Sequence, residues 1–115
     1  MEKSFSFAVK VVELVKILSK EKNEYVMTKQ ILRSGTSIGA NVSEGLGGSS
    51  KKDFVSKMYI AYKEAKETIY WLNLLHATNY LNRDNFNSFR DDCEEIIKIL
   101  YSILKTSRKN INSGN

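Results

Sequence analysis

Five side chains in the middle of the chain carry its clearest chemical pattern. Lys52, Tyr59, Lys63, Lys66 and Tyr70 fall within about 60° of one another when laid out at 100° per helical residue. Ammonium groups neutralise phosphates and release their counterions, and tyrosine rings offer faces on which bases stack. Lysines interleaved with tyrosines on one helix face therefore predict nucleic-acid contact. The competing reading is an ordinary solvated face in which Lys63 pairs with Glu67, four residues on.

Other reactive side chains do not converge. His76 falls beside Leu75 on the apolar side of its helix and reads as a packed histidine rather than a base. Cys93 lies among Phe89 and Ile97, where a thiol behaves as a small hydrophobe. Asp91, Asp92, Glu94 and Glu95 suit a solvated face near a helix start. One histidine and one cysteine make no zinc site, and the Glu-x-x-His signature of di-metal bundles is absent. The sequence predicts no catalytic residues, no metal and no cofactor, and hence no enzyme. Gly45-Leu46-Gly47-Gly48 lacks the Gly-Lys-Ser/Thr of a phosphate loop and follows a helix rather than a strand. A small anion at the start of the third helix, near Ser49, Ser50, Lys51 and Lys52, is the weaker third option.

Four helices must position these groups. Phe7, Val11, Leu14, Val15 and Leu18 share one face of the first, which the polar run Lys20–Asn23 ends. The second spans about Tyr25 to Glu44 with Met27, Ile31, Ile38 and Val42 on one stripe, and is expected to stop at the glycine cluster. The third opens on Ser50 as N-cap with Asp53 three residues on, then keeps a heptad seam: Phe54, Met58, Ala61, Ala65, Thr68, Leu72, Leu75. The fourth spans about Arg83 to Thr106, with Phe86, Phe89, Cys93, Ile96, Leu100 and Ile103 in its seam and Asn82 or Asp84 as cap. Short links and heptad rhythm predict an all-α, antiparallel up-down-up-down four-helix bundle over residues 1–106, followed by a polar tail, 107–115.

Two features exceed what a plain bundle needs. Phe5, Val9 and Val12 lie away from the first helix's stripe, and Val55, Tyr62 and Ile69 form a second apolar line on the third. Lines of apolar residues at heptad spacing predict a subunit interface in a homo-oligomer, the alternative being a wide core face. On the second helix Ser34 and Asn41 fall on the core stripe, while Gly35 and Gly39 adjoin it. These predict buried hydrogen bonds and close approach of another helix, since glycine costs a helix about 1 kcal/mol.

The chain has 115 residues, 42% of them apolar, which supports one domain with its own core. Proline is absent, as suits an all-helical protein. The net charge of +5 fits a polyanion partner and also ordinary solubility. Charged residues interrupt Met1–Leu18 at helical spacing, so neither a signal peptide nor a membrane span is expected and the protein reads as cytoplasmic.

The stretch Gln30-Ile31-Leu32-Arg33-Ser34, Ser37-Ile38-Gly39-Ala40-Asn41-Val42-Ser43-Glu44-Gly45, then Ser50-Lys51-Lys52-Asp53-Phe54 resembles one family. It is the four-helix-bundle family encoded in intervening sequences of bacterial 23S ribosomal RNA genes. Ser34, Ser37, Asn41, Glu44, Gly45, Asp53 and Phe54 carry the resemblance. Gly39 departs from it, and so does Gly47-Gly48, which removes a basic side chain at the turn. The resemblance implies a closed homo-oligomer, typically a ring of five, with no established catalytic activity. A distant relative, the accessory protein of diversity-generating retroelements, works with a reverse transcriptase and its RNA. Together these imply a non-enzymatic bundle that contacts RNA or a ribonucleoprotein. The alternative is a purely structural or protein-interaction module.

Overall fold

The computed structural model describes residues 2–48 and 50–112, and side chains as far as Ser107. Four helices follow one another: α1 (Glu2–Lys22), α2 (Val26–Leu46), α3 (Lys51–Ala77) and α4 (Arg83–Asn112). Each packs on its sequence neighbours, and α1 closes the bundle against α4. Chain directions follow from cross-contacts. Gly35 meets Val11 while Gly39 meets Ser4, Ser34 meets Thr68 while Gly45 meets Met58, and Lys3 meets Glu95 while Lys10 meets Ser88. Every neighbouring pair is therefore antiparallel, in a rod of 53 × 22 × 21 Å.

The seams form most of the core, with Leu104 buried where the spacing predicts Ile103, and Val15, Met27, Phe54 and Ile103 only half-buried. Phe7, Val11, Leu14 and Leu18 of α1, and Ile31, Ile38 and Val42 of α2, are buried. So are Met58, Ala61, Ala65, Leu72 and Leu75 of α3 and Phe86, Phe89, Cys93, Ile96, Leu100 and Leu104 of α4. Phe7 and Phe89 meet edge to face at 6.2 Å, an arrangement the ring quadrupoles favour.

Caps set the helix ends. Ser50 Oγ accepts the Asp53 N–H at 3.1 Å, and Asn82 Oδ1 accepts the Asn85 N–H at 2.8 Å. At α2 the Glu24 carboxylate does this work, accepting the N–H groups of Val26, Met27 and Thr28 at 2.8–3.2 Å. After α3, Asn79 turns left-handed (φ 68°), and the Asn79 and Tyr80 N–H groups return to the His76 and Leu75 carbonyls. That is a Schellman ending, with asparagine in the position glycine usually takes.

Several expectations change in detail. Helix α2 stops within the glycine cluster, as expected, but two residues later than Glu44: it includes Gly45 and Leu46 and is capped at Gly47. Gly45 is buried where a Cβ would lie 3.0 Å from Lys57 and Met58, so this glycine serves the approach of α3 rather than ending α2. Asn41 is only half-buried, and its amide donates to the Ser37 carbonyl of its own helix at 2.8 Å, because its position turns toward the edge of the α2 stripe. Val55, Tyr62 and Ile69 are half-buried against the core of their own subunit, since the apolar face of α3 is wider than its seam. Helix α4, for its part, continues to Asn112, beyond the Thr106 at which its apolar rhythm ends. Arg108 and Lys109 and the last residues of the tail lie outside the described side chains.

Candidate nucleic-acid interface

The α3 seam settles which way the lysine–tyrosine line points. With Ala61, Ala65, Thr68 and Leu72 buried, Lys52, Tyr59, Lys63, Lys66 and Tyr70 fall on the opposite, outer face, and all five are exposed. Tyr59 is 45% and Tyr70 57% exposed, large values for rings with no core to fill. Lys63 Nζ stands 4.9 Å from the centre of the Tyr59 ring, and Lys66 Nζ 5.2 Å from that of Tyr62. Such cation–π contacts leave the ammonium hydrated and available to an anion.

The Lys63–Glu67 pair of the competing reading does not form among the described residues. Arg33 of α2 draws in the acidic residues on that flank, pairing with Glu64 at 3.2 Å and closely with Glu67. Glu67 also accepts the Trp71 indole N–H at 3.1 Å. Among the described residues Lys52, Lys63 and Lys66 carry no ion pair.

A neighbouring line was not recognised from sequence. Lys98, Tyr101 and Lys105 are spaced three and four apart on α4, and all are exposed. Tyr101, 55% exposed, approaches Tyr62 of α3 with ring centres 6.3 Å apart. The two lysine–tyrosine lines therefore adjoin along the α3–α4 groove. The 3–4 spacing on α4 was a usable signal, but only the pairing of α3 with α4 joins it to the first line.

Charge is also sorted along α4. Its first half carries Asp84, Asp91, Asp92, Glu94 and Glu95, while from Ile96 to Ser107 the only charged residues are Lys98 and Lys105. The acidic half engages α1: Lys3 pairs with Glu95 at 3.0 Å and Lys10 with Asp92 at 2.6 Å. The lysines of α1 are thus partly neutralised, whereas Lys52, Lys63 and Lys66 on the outer face of α3 are not.

The remaining reactive groups are structural. His76 stacks on Phe86 at 4.5 Å, and its Nδ1 lies 2.9 Å from the Leu81 carbonyl. Cys93 is fully buried, its thiol donating to the Ala65 carbonyl at 3.3 Å. Burial, then the charges of Glu94 and Asp92, pushes its pKa up to about 12. Among the described residues no cluster of His, Cys, Asp or Glu is arranged to hold a metal, and no helix is long and apolar enough to cross a membrane.

Residues 1–102 match the family described as 23S rRNA-intervening sequence protein. The chain belongs to that family. It is similar to a solved structure from Bacteroides thetaiotaomicron, described as a protein with unknown function from the S23 ribosomal protein family. The two are 53% identical over 90% of this chain and 96% of that one, with a TM-score of 0.89. No curated protein matches.

The 23S rRNA-intervening sequence motif residues of this chain hold α2 to α3. The Ser34 and Thr68 hydroxyls share a buried hydrogen bond of 2.9 Å, and Glu44 pairs with Lys57 at 3.4 Å. Gly45 admits Met58, the backbone N–H of Asp53 binds the Ser50 cap, and Phe54 packs half-buried against the core. Ser37 contributes its carbonyl to Asn41. Of the motif residues, Ser34, Glu44 and Gly45 make contacts across the α2–α3 junction. Phe5 (71% exposed) and Val9 (45%) stand free of the core, and Val12 is half-buried. Phe5 borders an open, largely apolar groove of about 800 Å³ between α1 and α2, floored by Ser4, Ala8, Gly39 and Ala40.

Proposed function

We propose that this family member is a non-enzymatic, oligomeric helical bundle of the cytoplasm that contacts RNA or a ribonucleoprotein through its basic α3 face. The observation that carries this is the line of lysines free of carboxylate partners, interleaved with exposed tyrosines, in a chain of net charge +5. Each lysine that neutralises a phosphate releases condensed counterions, so binding should weaken steeply with salt. A salt titration of RNA binding by the full chain tests it, with a Lys52→Gln, Lys63→Gln, Lys66→Gln variant beside the parent. The variant should bind more weakly, and the slope of log K against log salt should become shallower by about 2, at about 0.7 per phosphate on a single strand. Equal binding and equal slopes would move the contact off α3. No binding by either protein at about 50 mM salt, where such contacts are strongest, would leave the structural or protein-interaction module.

The oligomer proposed is a ring of five, as the family resemblance implies. Exposed Phe5 beside a groove floored by small residues, with exposed Val9 four residues on along α1, supports a self-contact there, since apolar surface of this kind is costly to leave in water. Ring symmetry would repeat the basic face, so modest single-site affinity would add up through multivalency.

A further inference from the structure

Resting on that RNA reading, we infer that the α3–α4 face takes single-stranded RNA, with bases stacked on Tyr59, Tyr70 and Tyr101, in preference to duplex. Lysines alone would serve a duplex, whose phosphates are its accessible anions and whose base faces are covered by their neighbours. This face instead carries three half-exposed tyrosines that no core requires. Tyr59 and Tyr70 are eleven residues apart, about 16 Å along a helix rising 1.5 Å per residue, and Lys63 and Lys66 lie between them at about 6 and 10 Å. The order aromatic, cation, cation, aromatic on the protein is complementary to a single strand that lays down a base, phosphates and a further base. The cations also sit at the rings themselves: Lys63 over Tyr59 and Lys66 over Tyr62. A phosphate held by either lysine brings its own base beside a tyrosine face. Tyr101 extends the aromatic surface across the groove, flanked by Lys98 and Lys105 on its own helix. A convex helix face bearing rings fits unstacked bases, whereas A-form RNA offers a major groove too deep and narrow for side chains to read.

The chain contains its own reporter. Trp71 is the one tryptophan, and its ring lies 4.9 Å from Tyr70, edge to face. The experiment compares a 16-nucleotide RNA without self-complementarity, labelled with fluorescein, with the blunt duplex of the same sequence. Binding to the full-length protein is followed by anisotropy and by Trp71 emission. The single strand should bind about tenfold or more tighter and should quench Trp71, as stacking on successive rings allows. Tyr59→Leu with Tyr70→Leu should erase that preference and the quenching while leaving the salt slope unchanged, and Tyr59→Phe with Tyr70→Phe should restore both. Circular dichroism confirms that the variants remain helical. Duplex binding as tight as single-strand binding, or a leucine variant with the parent's preference, overturns the inference while leaving salt-dependent RNA binding in place. Absence of binding by either RNA overturns both.

Discussion

Glycines that look alike in sequence have different duties in the folded protein. A Cβ on Gly35 would lie 2.9 Å from Val11 Cγ2, and Val11 is a buried β-branched residue with little freedom to turn aside. On Gly39 the nearest atom would be the Ser4 carbonyl oxygen at 3.4 Å, an ordinary contact. Gly35→Ala should therefore lower stability by about 1–3 kcal/mol through overpacking. Gly39→Ala should be neutral or stabilising within the subunit, because alanine favours helix by about 1 kcal/mol. Urea unfolding of the two variants checks the contrast, and equal losses would refute it. Cys93 gives a second test at this scale. Its thiol holds its proton to about pH 12 when folded, against 9.0 for an ordinary cysteine. Between those values the unfolded chain releases the proton and the folded one keeps it, so this contribution to stability is full below pH 9 and is lost as pH rises toward 12. Cys93→Ala should abolish that part of the alkaline decline, and thiol alkylation of the native protein should be as slow as global unfolding.

Helix ends and junctions hold the elements in register. Substituting an N-cap side chain costs about 1 kcal/mol. Helix α3 begins on such a side chain, Ser50, whereas the N-cap of α2, Tyr25, makes no side-chain bond and Glu24 before it supplies the acceptors. Ser50→Ala should cost about that much, with the loss concentrated in amide-exchange protection over the first turn of α3. Glu24→Ala should cost at least as much, since one carboxylate accepts three backbone N–H groups at the start of α2. Between elements, the buried Ser34–Thr68 bond and the Arg33 pairing with Glu64 and Glu67 lie on the same side of the α2–α3 contact. These two helices form the tightest junction, and they expose the lysine–tyrosine line by turning the acidic flank of α3 toward Arg33.

For the molecule as a whole, paired and unpaired charges lie on different faces. The acidic half of α4 meets the lysines of α1, the α3–α4 face carries unpaired lysines, and the exposed apolar residues Phe5 and Val9 belong to α1. A charge introduced at Phe5 should act on self-association and not on the fold of the subunit. Phe5→Glu should reduce the mass measured by light scattering while helicity is retained, because an interface buries the new charge and water does not. Ile69→Glu is expected to do the opposite and destabilise the subunit, as Ile69 is packed against its own core. A parent protein that is monomeric at micromolar concentration would remove the oligomer altogether.

Much of this was legible in the residues alone. Periodicity named the four helices, most seam residues and the antiparallel plan, because burying one face of each helix is a local demand repeated along the chain. On α4, however, it pointed to Ile103 where Leu104 is buried. The caps Ser50 and Asn82, the packed His76 and the buried Cys93 followed from the same reasoning. Tertiary structure decided what depends on distances between helices. It chose Gly35 over Gly39 as the tight contact, carried α2 through Gly45, and drew Val55, Tyr62 and Ile69 toward the subunit's own core. It also assigned Lys3 and Lys10 to ion pairs with α4, left Lys52, Lys63 and Lys66 of α3 free of carboxylates, and brought Lys98, Tyr101 and Lys105 beside them. A helical face can be read from spacing at 100° per residue. Which partner that face meets is set by packing among residues far apart in the chain, and no local pattern encodes it.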